Sequence, residues 1–370
     1  NTAAYPSFKW TLNPGKDDGP YLGEPWSKMV MGRVKIDGNE RWVGFIGGGY
    51  TMGTPSKADT GKGFFVVDLT NGTILWSYTV KNNSAMSFVP GTPAIVDKDS
   101  DGFIDTAYVG DLAGNLWKFT FCPNDPEEAK KTPKCGVANW TPSLLYTSQT
   151  SSLPTFNTPS VAKDGGYYWV FWGTGDKANP NILGSQNKFF AVRDDNPGGA
   201  YTLSNLQNIT SGTFNNPEAK GWVVNLDGQE RVLSDSTVYK GIVFFTSYTP
   251  PGGANLCGAT GRAALYGIAM MPVSIQGEIY EPGKGVFSQA GQKRIDLGTG
   301  IPSAPVVSQK PLDGSGKGGT PDVFVGVSGG AGVPTETLSS ANPSMEAVAK
   351  ALFGSGPSSH IIHWRDRRVQ

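Results

Sequence analysis

The sequence is poor in charge, in long apolar runs and in helix-forming segments. Charged residues make up only 17% of the 370 residues, and the formal net charge is zero. No electrostatic argument therefore supports a nucleic acid or an anionic membrane as partner. No apolar stretch approaches the roughly 20 residues of a membrane-spanning helix. Because glycine, proline and aromatic residues are abundant instead, the composition favours an all-β fold.

Cysteine and histidine are also scarce. Cys122 and Cys135 flank a short loop rich in Pro, Asn and Lys, and they could close it by a disulfide in an exported protein. Cys257 is left over, and a lone cysteine is more often a small buried hydrophobe than a reactive thiol. His360 and His363 fall in one predicted strand, where three-residue spacing puts them on opposite faces and disfavours a shared metal. The sequence thus predicts no catalytic residues and no enzyme.

The most informative motif lies at residues 97–105, Asp-Lys-Asp-Ser-Asp-Gly-Phe-Ile-Asp. Its closely spaced carboxylates would repel one another if they converged with nothing between them. Ca²⁺ takes six to eight oxygen ligands at about 2.3–2.6 Å, and Gly102 can adopt the positive φ that a tight turn needs. The predicted Ca²⁺ ligands are the carboxylates of Asp97, Asp99, Asp101 and Asp105 and the backbone carbonyl of Phe103.

The surroundings of this motif exclude a helical calcium-binding hand. An EF-hand carries a bidentate Glu at the twelfth position, where this chain has Tyr108. Residues 92–96 and 106–109 are β-branched and apolar, which is typical of strands. The motif is therefore predicted to be a calcium loop between two strands. The alternatives are a solvated Asp-rich turn and a Mg²⁺ site, although Mg²⁺ prefers fewer protein ligands.

A pattern of short β-branched or aromatic strands separated by polar turns recurs along the chain. A repeated unit of three to four strands is typical of propeller blades, and the rival fold is a pair of β-sandwiches. We predict a single β-propeller domain over residues 1–370, with about seven irregular blades, loop insertions and one short helix at residues 343–353. Because the chain begins at Asn1, we expect it to be a processed or excised piece of a longer precursor. The repeats cover residues 28–76, 92–119, 158–192, 235–268 and 301–364.

The calcium loop and its neighbours resemble the PilY/PilC family of type IV pilus tip-associated adhesins. The resemblance extends from about residue 42 to the C-terminus, and its specificity comes from the ordered set of motifs. These motifs lie at residues 91–119, 171–176, 221–232, 244–250, 300–307 and 363–366.

This resemblance implies the C-terminal β-propeller of a calcium-binding adhesin, exported through the periplasm to the pilus tip or outer cell surface. Such a domain would act in type IV pilus biogenesis, in the control of extension and retraction, and in attachment. Its expected partners are pilin or minor pilins and an unidentified surface receptor. Of the family's functional residues, only the four aspartates of the calcium loop transfer. A second calcium loop has only a degenerate counterpart at residues 313–322, and no Arg-Gly-Asp triplet is present.

A second hypothesis comes from residues 63–76, which are similar to one repeat of the quinoprotein propellers. Those enzymes hold a quinone cofactor and Ca²⁺ in a central channel, but they use several such repeats and this chain has one good copy. Aromatic side chains such as Tyr168, Trp169 and Trp172 could also stack on sugars. Their position in an apolar strand favours a place in the core instead.

Overall fold

The structure is a computed structural model. It describes residues 8–13, 21–51, 59–122, 135–149, 153–195, 198–252, 261–275, 278–287, 291–308 and 322–328. The chain divides into two compact units. The first unit comprises Asn1–Pro159 with Pro197–Ala200, and the second comprises Ser160–Asn196 with Tyr201–Gln370.

The first unit contains two four-stranded antiparallel sheets, in each of which every strand pairs with the next one along the chain. This simple meander is the topology of a propeller blade. One sheet consists of β1 (Val30–Ile36), β2 (Asn39–Gly47), β3 (Gly63–Asp68) and β4 (Ile74–Thr79). The other consists of β5 (Ala94–Val96), β6 (Thr106–Gly110), β7 (Leu116–Thr120) and β8 (Thr141–Tyr146).

The β3–β4 hairpin shows how local sequence sets these strands. All six residues of β3 are buried, which matches its continuous apolar run. The turn that follows contains Asn71 and Gly72, and Gly72 has a φ of 79°. The backbone N–H of Gly72 donates to the carbonyl of Asp68 at 2.8 Å and closes the turn. The hairpin predicted from Asn-Gly is therefore confirmed.

Aromatic rings from both sheets form the core of the first unit. Phe64 of β3 stacks on Phe119 of β7 with ring centroids 4.1 Å apart and planes 7° from parallel. Trp76 of β4 packs edge-on against Phe119 at 5.8 Å and against Trp140 at 5.8 Å. Offset and edge-on aromatic pairs add about 0.5–1.5 kcal/mol each beyond area burial, so these rings hold the two sheets together.

The second unit contains a five-stranded sheet, a four-stranded sheet and two hairpins. The five-stranded sheet consists of β9 (Ser160–Asp164), β10 (Tyr167–Gly173), β11 (Lys188–Asp194), β12 (Gln207–Asn208) and β13 (Gly221–Asn225), in the order β12-β13-β11-β10-β9. The four-stranded sheet consists of β14 (Thr237–Tyr239), β15 (Ile242–Thr249), β16 (Arg262–Ala269) and β19 (Arg294–Thr299), in the order β14-β15-β16-β19. The hairpins are β17 (Val273–Ile275) with β18 (Glu278–Tyr280), and β20 (Val306–Ser308) with β21 (Asp322–Phe324).

Stacked aromatic rings also link the two large sheets of the second unit. Phe189 of β11 stacks on Phe245 of β15 at 3.7 Å, and Phe245 stacks on Tyr266 of β16 at 4.5 Å. The residues considered as sugar-stacking candidates, Tyr168, Trp169 and Trp172, are all buried. Their predicted place in the core is confirmed.

The all-β prediction is confirmed as well. In the described ranges, the helical elements are two short 3-10 helices, Val137–Asn139 and Leu203–Asn205. None of the helices in the described part of the chain has the length and hydropathy needed to cross a bilayer. The predicted helix at residues 343–353 and the strand with His360 and His363 lie outside the described residues. The number of blades and the single-domain organisation stay predictions.

Candidate metal centre

The Asp-rich loop at residues 97–105 connects β5 to β6, two strands of one antiparallel sheet. The backbone N–H of Asp105 donates to the carbonyl of Val96 at 3.0 Å and closes the loop at its base. The N–H of Ile104 donates to the carbonyl of Arg33 at 2.8 Å and fixes the loop against β1. The predicted position of the loop between two strands is therefore confirmed.

The loop folds around the carboxylate of Asp97. That carboxylate accepts the N–H of Ser100 at 2.7 Å and the N–H of Gly102 at 2.8 Å. Gly102 has a φ of 89°, and a Cβ at this position would lie 2.4 Å from Nη2 of Arg33. The backbone conformation therefore favours glycine at position 102, whereas the Arg33 side chain is flexible and could move away from a Cβ.

Three of the four predicted carboxylates converge. Asp97, Asp99 and Asp105 each offer an oxygen, and these oxygens all lie within 4.8 Å of one another. Two ligands of one Ca²⁺ ion are at most about 5 Å apart, which is twice a metal–oxygen distance. Asp97 and Asp105 are buried, whereas Asp99 is exposed. The donors are all hard oxygens, so this arrangement fits Ca²⁺ and leaves its exposed side to water.

Asp101 has different partners in this structure. Its Oδ2 lies 3.5 Å from Nζ of Lys35, and its Oδ1 accepts the N–H of Phe103 at 2.9 Å. Nζ of Lys35 also lies 4.3 Å from the centroid of the Phe103 ring. To act as a metal ligand, Asp101 would have to give up its ion pair with Lys35 and turn its carboxylate to the ion. The role of the Phe103 carbonyl stays a prediction.

The electrostatics of the loop favour a cation. Burial, together with the negative charges of Asp99, Asp97 and Asp101, raises the pKa of Asp105 to about 7. The N–H of Lys98 donates to Asp105 at 2.5 Å and opposes this rise. Burial also raises the pKa of Asp99. Without a cation, a buried carboxylate among like charges retains its proton near neutral pH, and a bound divalent ion removes that penalty.

Sequence reasoning missed the basic residues beside this loop. Arg33 and Lys35 come from β1, where alternating residues share one face of the strand. Nε of Arg33 donates to the carbonyl of Gly102 at 3.2 Å, and the Arg33 guanidinium lies 5.0 Å from the centroid of the Phe103 ring. No local motif could reveal this contact, because it depends on how β1 packs beside a loop more than sixty residues further along the chain.

The sequence left open whether Cys122 and Cys135 are paired. The two residues form a disulfide with their Cα atoms 5.6 Å apart. Nε1 of Trp140, a residue of the aromatic core, donates to Sγ of Cys122 at 3.3 Å. Cys257 and residues 313–321, where a second metal site was considered, lie outside the described residues.

Comparison with known proteins identifies the family. Residues 19–215 match the family model of the PilY1 β-propeller domain, a range that includes the Asp-rich loop. The chain belongs to this family. The predicted β-propeller and the resemblance noted in the sequence are thereby confirmed.

The chain is similar to part of several larger proteins. A type IV pilus biogenesis factor PilY1 homolog from Xylella fastidiosa is 25% identical over 325 residues, covering 76% of this chain and 21% of that protein. The type IV pilus biogenesis factor PilY1 from Pseudomonas aeruginosa is 32% identical over 105 residues, covering 28% of this chain and 8% of that protein. The chain thus matches 21% and 8% of the length of these two relatives.

A solved structure is also similar. The crystal structure of the Pseudomonas aeruginosa PilY1 C-terminal domain aligns with a TM-score of 0.47 at 16% sequence identity, covering 82% of each chain.

Proposed function

We propose that this chain is the calcium-binding propeller of a pilus-tip or cell-surface adhesin that acts in type IV pilus biogenesis, in the control of extension and retraction, and in attachment. The observation that carries the calcium proposal is the convergence of Asp97, Asp99 and Asp105 within 4.8 Å. Membership of the PilY1 propeller family supports the link to the pilus, because the similar proteins are named biogenesis factors.

Bound Ca²⁺ would supply positive charge and no chemistry. Asp97, Asp99 and Asp105 would hold the ion, and Asp101 with the carbonyl of Phe103 would complete the protein ligands. Neutralising the clustered carboxylates would fix the loop between β5 and β6. A partner that contacts this surface would then bind in a calcium-dependent way.

Export is part of the proposal. We infer that the domain passes through the periplasm to the pilus tip or outer surface, where it meets pilin or minor pilins and a surface receptor. The Cys122–Cys135 disulfide supports this location, because structural disulfides form and persist mainly in oxidising compartments.

We propose that the domain is not an enzyme. The similar proteins are named as biogenesis factors, and Trp76 of the quinoprotein-like segment packs among Phe64, Phe119 and Trp140. Titration with a quinone cofactor and Ca²⁺ should give neither cofactor absorbance nor dye-linked oxidation. Turnover would support the quinoprotein alternative.

Calorimetric titration of Ca²⁺ tests the ligand set with a matched pair of variants. Asp101 and Asp59 each lie 3.5 Å from a lysine, Lys35 and Lys62 respectively, but only Asp101 belongs to the loop. We expect Asp101→Asn to weaken Ca²⁺ binding and Asp59→Asn to leave it unchanged. Equal affinity in both variants would remove Asp101 from the ligand set.

A further inference from the structure

The second unit contains a polar pocket with a volume of about 560 Å³. It lies beside the end of β13, the middle of β16 and the start of β19, and it is lined mainly by hydroxyl, amide and charged side chains. Pockets for small molecules have volumes of roughly 300–1,000 Å³, but most of them are apolar. The size is therefore typical of a ligand site, while the lining favours a ligand that is rich in hydrogen-bonding groups.

The floor of the pocket is held rigid by a buried carboxylate. Glu230 is fully buried, and its Oε2 accepts the hydroxyl of Tyr266 at 2.7 Å and the N–H of Asp227 at 3.2 Å. Its Oε1 accepts Nε of Arg294 at 3.1 Å and the hydroxyl of Ser247. Tyr266, Asp227 and Arg294 all line the pocket. Because one buried group fixes all three, the floor does not have to reorganise when a ligand enters.

Two lysines give the pocket positive charge. The ammonium of Lys293 donates to the backbone carbonyls of Ile209 and Gly212, which leaves one of its three N–H groups available. Among the described residues, neither Lys293 nor Lys284 forms an ion pair with a carboxylate. Burial lowers the pKa of Lys293 to about 8. Asp227 also lines the pocket but forms no ion pair with either lysine within the described ranges, so an anion in the pocket would supply their counter-charge.

Neutral polar groups surround these lysines. Ser211 and Thr213 line the pocket, and their hydroxyls form no hydrogen bond within the described part of the chain. Asn225 also lines it, with its Oδ1 held by Nζ of Lys188 at 2.6 Å, so its orientation is fixed. These hydroxyl and amide groups can donate hydrogen bonds to, and accept them from, the hydroxyls of a sugar. A bare inorganic anion would fill only a small part of the volume.

We propose that this pocket binds an acidic saccharide, a sugar whose carboxylate meets Lys284 and Lys293 and whose hydroxyls meet Ser211, Thr213 and Asn225. The charge of the lysines selects the carboxylate, and the polar lining selects the hydroxyls. The proposal does not depend on the Asp-rich loop, because all the lining residues belong to the second unit.

Calorimetry or ligand-observed NMR on the 370-residue chain tests this proposal with four probes. They are a galacturonic acid disaccharide, a sialyl-lactose, the methyl ester of the galacturonic acid disaccharide, and acetate. We expect at least one acidic sugar to bind, the ester to bind about tenfold more weakly than its parent acid or not at all, and acetate not to bind measurably. Equal binding of acetate would show a plain anion site, and equal binding of the ester would remove the role of charge. No binding of either acidic sugar would overturn the proposal.

Two matched lysines locate the binding. Nζ of Lys284 lies 5.0 Å from the ring of Tyr280, and Nζ of Lys163 lies 5.3 Å from the ring of Tyr168, but only Lys284 lines the pocket. We expect Lys284→Gln to weaken binding of the acidic sugar about tenfold, and Lys163→Gln to leave it unchanged. Equal effects of the two variants would place the binding elsewhere.

Repeating the titration with Ca²⁺ and with a chelator separates this proposal from the calcium site. We expect the same affinity for the acidic sugar in both conditions. Binding that disappears on chelation would show that the sugar depends on the metal centre, and it would overturn the assignment to this pocket.

Discussion

The buried carboxylate of Glu230 in the second unit and those of Asp97 and Asp105 in the first unit differ in their partners. In the second unit, Glu230 accepts hydrogen bonds from Ser247, Tyr266 and Arg294, so its charge is compensated within the chain. In the first unit, Asp97 and Asp105 are buried beside Asp99, and no basic side chain of the described residues forms an ion pair with these three. A carboxylate with internal partners stabilises the fold, whereas clustered carboxylates without a cation indicate a place for a ligand.

The largest effect is expected from removing the compensated carboxylate. Glu230→Ala would leave Nε of Arg294 and the buried hydroxyls of Tyr266 and Ser247 without their acceptor, although Nη1 of Arg294 would keep its ion pair with Asp296. Breaking a buried ion pair costs about 3–5 kcal/mol of unfolding free energy. Urea denaturation with and without Ca²⁺ should show the same loss in both conditions. A loss below about 1 kcal/mol would mean that Glu230 is not structural.

Calcium should change the stability of the first unit by a smaller amount. A ligand that binds only the folded state adds about 2.7 kcal/mol at one hundred times its dissociation constant. Thermal unfolding of the wild-type chain should therefore shift upward with Ca²⁺, and Asp97→Asn should abolish most of the shift. Glu230→Ala, although less stable, should retain it. If Ca²⁺ still raises the unfolding temperature of Asp97→Asn, the distinction between the Asp97 cluster and Glu230 is contradicted.

The buried ammonium of Lys293 should make the free energy of unfolding depend on pH. Burial lowers the pKa of Lys293 to about 8 from the 10.5 of an exposed lysine, so between these pH values the unfolded chain binds more protons than the folded one. Stability should therefore rise with pH across this window. Comparing wild type with Lys293→Met by urea denaturation isolates the contribution, about 1 kcal/mol after allowing for the solvent exposure of the ammonium. If the free energy of unfolding depends on pH in the same way in both proteins, the lowered pKa of Lys293 is contradicted.

The smallest effect concerns the contact between β1 and the loop. Lys35 pairs with Asp101 at 3.5 Å, and both side chains are partly exposed to solvent. Such pairs contribute at most about 1 kcal/mol. If Asp101 leaves Lys35 to join the ion, Lys35→Gln should strengthen Ca²⁺ binding about two- to threefold, whereas Lys62→Gln should not. Weaker binding in Lys35→Gln would mean that this lysine supports the site.

Local features of the fold could be predicted from the sequence. The Asn71-Gly72 hairpin follows from turn chemistry, and β6 and β10 follow from runs of β-branched and aromatic residues that extend to a glycine. The pattern predicted β1 less well. The first repeat was placed from residue 28, whereas β1 runs from Val30 to Ile36, and its edge position leaves polar residues among the apolar ones.

Long-range features could not be predicted in this way. The spacing of the aspartates indicated a cation, but the partner of Asp101 lies on β1 and became visible only through packing. The Glu230 network joins residues from positions 227 to 294 through four different segments of chain. Neither a repeating pattern of residues nor a local sequence motif reveals such a network, because its members meet only after the sheets of the second unit have formed.

Titration of Ca²⁺ into the metal-free 370-residue chain, compared with the Asp97→Asn and Asp105→Asn variants, tests the central claim most directly. The wild-type chain should bind at the loop, and each substitution should remove that binding while leaving the circular dichroism spectrum of the folded protein unchanged. Equal Ca²⁺ binding by wild type and both variants would contradict the assignment of the Asp-rich loop as the metal centre.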